Sequence, residues 1–276
     1  MLLYCFSCYI CKEIVNIGVK MVLEIRLSNF FSIMDEVVLD MQAANIQTKK
    51  AKELQKYINN KFLNAETGVY SIGKITAQSL PLALGFAPEN LREKVAARLN
   101  EAVVESGYVC DFGLLGSKYT LRMLVDYGYV DTAYRLATQT KRPSWGNWIE
   151  SGFTTPLETW AIRDTFRDSS ANHVFFGDIV AWMHSHIAGI QYDRDKPGFS
   201  HIIIRPAFPE GLEWAKASYK SVRGEIASSW RRHGDKVTLQ VLVPLNTTAT
   251  VYFDQKYEIK GTGTPITLVG NAVKSK

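Results

Sequence analysis

From about Ile46 onward, apolar residues return along the chain at helical intervals. Leu54, Tyr57, Ile58 and Phe62 form one stripe, and Leu91, Val95, Leu99 and Val103 form another at strict four-residue steps. A short apolar segment over 75–85 lies between them, and the pattern continues over 119–127 and 131–138. Gly107, Gly113, Gly116 and Gly128 mark the breaks. The spacing predicts repeated helical hairpins. Two further helices, one starting near Thr155 and one over 174–188, complete an all-helical layered or toroidal domain that ends near Gly189. After Pro197-Gly198 the texture changes to short β-rich runs, such as 201–205 and 237–243, separated by Gly, Pro and Asn turns. These predict a small antiparallel β-sandwich. Within it, Gly224 falls between two strand segments, where a bend or bulge is expected. Asn246-Thr247-Thr248 has the N-glycosylation pattern and is read as a turn before a strand over 250–253.

Composition narrows the class. The chain has 276 residues, of which 46% are apolar and 21% charged, the balance of a soluble globular protein with a substantial core. The net charge of +5 is spread thinly, with short clusters such as Lys49-Lys50 and Arg231-Arg232-His233, so no nucleic-acid partner is expected. Cys5, Cys8 and Cys11 have a spacing superficially like a metal-ligand run but lack a suitably placed fourth ligand. Neither a metal site nor a cofactor is expected. Cys110 stands alone and reads as a core thiol. The apolar opening, residues 1–10, has no basic leader and is too short to span a bilayer, so no membrane partner is expected. Residues 1–34 are atypical as a whole, and Met21 offers an alternative start.

The candidate chemistry lies between Arg142 and Gly177, where Trp145, Trp148 and Trp160 crowd with Glu150, Glu158 and the Asn172-His173 pair. Aromatic faces suit the C–H surface of a sugar ring, and carboxylates suit its hydroxyls and scissile oxygen. No glycine-rich phosphate loop competes. Two readings of Glu158 coexist. Thr155-Pro156-Leu157-Glu158 fits a capping box, with Thr155 as N-cap and Glu158 reaching back to its amide. A carboxylate at a helix start is also favoured by the helix dipole and can act as a general base. His173 is either a capping-region histidine behind an Asn172 N-cap or a neutral imidazole that binds substrate hydroxyls. The tryptophans are either core or stacking surfaces. Glu150, Asp164 and Asp168 are weaker candidates.

Three segments, Pro143-Ser144-Trp145-Gly146, 152–160 (Gly-Phe-Thr-Thr-Pro-Leu-Glu-Thr-Trp) and Asn172-His173-Val174-Phe175-Phe176-Gly177, resemble in order and spacing the signatures of bacterial α-L-rhamnosidases. Further similarity runs through 76–82, 113–116, 188–190, 197–199 and 204–206, covering roughly residues 35 to 255. The resemblance implies an inverting glycoside hydrolase: part of a six-hairpin (α/α) toroid over 35–190, then a β-sandwich over 191–276. It places the general base that activates water on Glu158 and a sugar contact on His173, with a rhamnose-containing glycoside as substrate; Trp145, Trp160 and Asn172, from the same three segments, are the further substrate-binding candidates. An inverting pair needs a second carboxyl group roughly 6.5 to 9.5 Å from the base. The acidic segment that supplies it in the family does not precede Asn60 here, so the chain is expected to carry the base without the acid. The alternatives are a non-catalytic carbohydrate-binding remnant and another glycosidase on an (α/α) toroid. A partial toroid should leave apolar helix faces uncovered, which predicts self-association or a complementing chain.

Overall fold

A computed structural model describes residues 25–26, 38–39, 44–162, 169–273 and 275–276, with side chains from residue 50. Cys5, Cys8, Cys11, Asp164 and Asp168 lie outside the described residues, as does nearly all of the atypical 1–34 segment. The chain divides into two compact units, 1–61 and 62–276. The first holds the antiparallel pair β1 (Ile25–Arg26) and β2 (Val38–Leu39), and nearly all of α1 (Ala44–Phe62). On α1 the amine of Lys61 donates to the Tyr57 hydroxyl one turn back, at 3.0 Å.

The second unit opens on a two-stranded hairpin, β3 (Leu63–Asn64) and β4 (Val69–Tyr70), and continues through four helices. These are α2 (Ile75–Ala83), α3 (Arg92–Glu105), α4 (Leu114–Asp126) and α5 (Val130–Thr138). The four-residue stripe behaves as its periodicity predicts, since Val95, Leu99 and Val103 are fully buried. Helix α2 packs against α3 and α4, and α4 against α5. Gly116 permits the close α2–α4 approach: a Cβ there would lie 2.6 Å from Thr76 Oγ1 and 2.4 Å from Phe112 Cβ. Beside it Thr120 donates its hydroxyl to Ser79 across the same interface at 3.3 Å, and both side chains are buried. Gln78, also buried, accepts the Tyr70 amide at 2.9 Å and ties the hairpin to α2.

After α6 (Trp145–Glu150), the segment predicted as one helix over 174–188 is broken into three geometries. It runs as a 3₁₀ turn (Val174–Gly177), helix α7 (Asp178–Trp182) and a π turn (Met183–Ile187). The strands then form two four-stranded sheets. One has the order β11-β10-β6-β5, built from β5 (Ile190–Tyr192), β6 (His201–Ile204), β10 (Thr248–Tyr252) and β11 (Lys256–Lys260). The other has the order β12-β9-β8-β7, built from β7 (Trp214–Ser221), β8 (Gly224–His233), β9 (Lys236–Leu242) and β12 (Pro265–Asn271).

The helices-then-sheets architecture is the predicted one, with two refinements. The β6–β10 pair is parallel, an exception in otherwise antiparallel sheets, and His201 sits over it with Nδ1 and Nε2 at 2.6 and 2.9 Å from the Thr248 and Thr250 hydroxyls. Gly224 is not a bulge. It closes the tight β7–β8 hairpin opposite Ser221 at φ +125°, where a Cβ would come within 3.1 Å of Pro244. Asn246, at φ +60°, is the predicted turn, although the strand after it starts at Thr248.

The helical part ends against the sheets. Four successive carbonyls that a helix terminus leaves open each accept a hydrogen bond from downstream. His186 O accepts from Ala207 N at 2.8 Å, Ile187 O from Trp230 Nε1 at 2.8 Å, Ala188 O from Ser228 Oγ at 2.6 Å and Gly189 O from Arg205 N at 2.8 Å. Trp230 and Ser228 are both buried on β8. Gly189 makes this docking possible: it has φ +85°, and a Cβ would lie 2.2 Å from Pro206 N. Gly189→Ala is therefore expected to cost on the order of 2 kcal/mol or more, read as a lower urea midpoint. Gly85→Ala, also at positive φ but with nothing within 4 Å of the added Cβ, should cost less.

Candidate active site

Residues 142–162 and 169–177 fold as short elements tied together by an aromatic cluster. Ser144 caps α6 by accepting the Asn147 amide at 3.0 Å, which sets Trp145 and Trp148 on the buried side of this short helix. Trp160 lies at the centre of the cluster. Its ring stacks on Trp148 at 4.6 Å between centroids, meets Trp145 edge-on at 5.1 Å and contacts Phe176 at 4.4 Å and Phe112 at 5.8 Å. Its indole N–H donates to Phe112 O at 2.6 Å, while that of Trp145 donates to Phe176 O at 2.9 Å. The cluster thus joins the α4 approach, α6, the 3₁₀ turn and the loop carrying Glu158. Trp145 is 6% exposed and Trp148 3%, so their rings serve as packing in this structure; Trp160 is half-buried.

The predicted helix at Thr155 does not form, since residues 153–162 are loop. The capping box is accordingly absent: Thr155 donates its hydroxyl to Ala171 O, and Glu158 turns to Ser170 instead of the Thr155 amide. The physical reason is long-range pairing. The 155–158 and 170–173 strips are zipped by Glu158 N to Ser170 O at 3.0 Å, Ser170 N to Glu158 Oε2 at 2.6 Å and His173 N to Pro156 O at 2.8 Å. The local helix signal loses to this two-strip loop. Asn172 is not the N-cap either: His173 occupies that position before the 3₁₀ turn without a side-chain cap, and the Asn172 amide donates to Ser170 Oγ at 3.1 Å.

The zipper carries Glu158 and His173 on the same pair of strips. The carboxylate is held through Oε2, and Oε1 makes no hydrogen bond among the described residues. The His173 ring packs 5.0 Å from Phe175, and its Nδ1 is buried with no hydrogen-bond partner among the described residues. The same holds among the described residues for Asn147 Oδ1, Trp148 Nε1 and Ser169 Oγ. Each such atom carries a desolvation cost that a polar ligand could offset. Glu150, the last residue of α6, is exposed. Cys110 is fully buried, as expected, and anchors this region by donating its amide to Pro143 O at 2.9 Å. Burial pushes its thiol well above the usual range.

A wide cleft of about 1130 Å³, marked by no motif in the sequence, is lined from α4, α7, the π turn, β5 and β7 by residues that include Lys118, Asp126, His184, His186 and Tyr219. It contains none of the predicted site residues. In it His186 has Nδ1 at 2.7 Å from Ser185 Oγ and Nε2 at 3.4 Å from Asp126 Oδ1. The serine hydroxyl donates to Ala181 O at 2.7 Å, so its proton is engaged and this row braces the π turn instead of forming an activated nucleophile. Among the described residues there is no group of three or more His, Cys, Asp or Glu that could hold a metal. No described helix is long and apolar enough to cross a membrane.

The succession of hairpin helices and then β-sheets is that of a six-hairpin glycosidase domain followed by a carboxy-terminal β domain. Residues 26–187 match the bacterial alpha-L-rhamnosidase six-hairpin glycosidase domain and 189–264 the bacterial alpha-L-rhamnosidase C-terminal domain. The chain belongs to the bacterial α-L-rhamnosidase family. An alpha-L-rhamnosidase of Streptomyces avermitilis is 33% identical over 227 residues, covering 76% of this chain and 22% of the relative. One from Formosa agariphila is 29% identical over 231 residues, covering 77% of this chain and 24% of the relative. The solved S. avermitilis alpha-L-rhamnosidase complexed with L-rhamnose superposes with a TM-score of 0.72 at 28% identity, over 83% of this chain and 24% of that one. The chain therefore spans about a quarter of the length of these relatives.

Two outcomes follow from the cluster and its neighbour. Trp160→Ala should destabilise the protein by about 3–5 kcal/mol in chemical denaturation, while Trp160→Phe, which loses the N–H bond to Phe112 but keeps a ring, should cost less. Cys110 should resist alkylation by iodoacetamide in the folded protein and react only after unfolding, as read by peptide mapping.

Proposed function

We propose that this chain acts as the carboxy-terminal part of an α-L-rhamnosidase, with 35–190 as the toroid portion and 191–276 as the β domain. Its role is the inverting hydrolysis of terminal α-L-rhamnose from a glycoside. In this reading Glu158 is the general base. It takes a proton from water as the water oxygen attacks the anomeric carbon and the glycosidic bond breaks toward a protonated leaving group. The observation that carries the reading is the zipper between 155–158 and 170–173. Ser170 N–H fixes one carboxylate oxygen and orients the other, and the same strips bring in the His173 imidazole as a partner for sugar hydroxyls. Asn172, exposed on the second strip, is a further contact, and Trp145 and Trp160 form the aromatic floor that positions the loop.

The general acid is not carried by this chain in the proposal. Its absence removes about 10²- to 10⁴-fold in rate. The purified chain should therefore bind L-rhamnose in calorimetric titration, weakened by His173→Ala, yet turn over an aryl α-L-rhamnoside barely above background. Rapid turnover abolished by Glu158→Gln would overturn the missing acid while supporting the base. Rapid turnover unaffected by Glu158→Gln would overturn the assignment of Glu158. No heat with L-rhamnose at up to about 10 mM would overturn the sugar site itself.

Exposed apolar residues on the helical part, among them Leu114, Leu115, Ile149, Val174 and Val180, support the accompanying proposal that the chain self-associates or takes a complementing chain. Light scattering should show species larger than a monomer. A monodisperse monomer would contradict self-association.

A further inference from the structure

Strands β7, β8 and β9 turn one face of their sheet away from the buried residues Ile226, Trp230, Val237 and Leu239. That outer face has an unusual make-up. A depression of about 390 Å³ is lined by Trp214, Lys216, Ser229, Arg231, His233 and Gln240 among others, and no acidic side chain lines it. Trp214 is 54% exposed and pairs directly across the ladder with Arg231. Lys216 lies two residues along β7 and His233 two along β8, on the same face by the strand period. Lys236, opposite His233, extends the positive charge. Among the described residues none of Lys216, Arg231 and His233 is salt-bridged to a carboxylate.

Lysines on an edge strand such as β7 serve to block edge pairing. That does not account for Arg231 and His233, which lie on the interior strand β8, nor for an exposed tryptophan beside them. An indole face offers apolar surface to the C–H face of a sugar ring, while Ser229 and Gln240 can exchange hydrogen bonds with hydroxyls. Basic side chains in a depression lined by no carboxylate suit a negatively charged partner.

We infer that the outer face of β7–β8–β9 is a second carbohydrate-binding surface, separate from the Glu158 loop, for a saccharide bearing carboxylates such as an oligouronide. Trp214 stacks on one ring and Arg231, with Lys216 and His233, pairs the carboxylates. A single exposed indole is poor equipment for stacking the successive bases of a nucleic acid, so the saccharide is favoured. The choice of a sugar rests on the glycosidase reading above, but the surface and its charge do not.

Calorimetric titration of the whole chain with trigalacturonate tests this, with maltotriose as a neutral control. Trigalacturonate should bind, maltotriose should bind at least about tenfold more weakly, and Trp214→Ala and Arg231→Gln should each weaken trigalacturonate binding about tenfold. Raised salt should weaken it further. Both variants should keep the parent melting temperature and L-rhamnose titration. Glu158→Gln should leave trigalacturonate binding unchanged, which keeps failure of the Glu158 assignment distinct from failure here. No heat with trigalacturonate at up to about 10 mM overturns the inference. So does binding that is indifferent to Trp214→Ala and Arg231→Gln, or tighter Trp214-dependent binding of a DNA oligonucleotide.

Discussion

The Trp160 indole is the constraint on which the site loop depends. A loop with little secondary structure of its own has no ladder to hold it, so its conformation must come from side chains whose geometry is rigid. Trp160 supplies that through ring contacts with Trp145, Trp148, Phe112 and Phe176 and an N–H bond to the Phe112 carbonyl. Two residues upstream, Glu158 inherits a fixed backbone position, and its bonds with Ser170 complete the orientation. The buried aromatics and the pinned carboxylate are one device: the hydrophobic part sets where the polar part can reach.

Much of this fold is legible in the sequence because its signals are local. The Val95, Leu99 and Val103 stripe buries as its period requires, and the change to strands after Pro197-Gly198 is written in β-branched runs and turn residues. What the sequence does not carry is pairing between distant segments. Thr155-Pro156-Leu157-Glu158 is a sound capping box read alone, yet the partner that decides its conformation is Ser170. The parallel β6–β10 register joins residues nearly fifty positions apart, and the π turn at 183–187 interrupts a stretch whose composition is unremarkable for a helix. The candidate chemistry divides the same way. Glu158 and His173 are recognisable by motif, whereas the basic face around Trp214 becomes visible only when β7 and β8 are laid side by side.

The two polar surfaces differ in how they are built. At Glu158 one oxygen is held by a backbone amide, so direction matters and side-chain freedom is small. On the β7–β8–β9 face, the long side chains of Lys216, Arg231 and Gln240 stand around the exposed Trp214 indole, an arrangement suited to holding a flexible polymer without demanding one register. A rigid point and a forgiving surface on one chain would divide the labour between reaction and retention.

The four carbonyls at residues 186–189 have a further meaning for how the molecule is partitioned. Because Trp230, Ser228, Ala207 and Arg205 provide the donors that close the last helical turn, the sheets are the terminal cap of the helical part and not an appended module. Gene rearrangements that separated the two at Gly189 would leave a row of open acceptors and an unburied Trp230. The joint therefore behaves as an indivisible seam, and the angle between the helices and the basic sheet face is inherited along with the Glu158 loop.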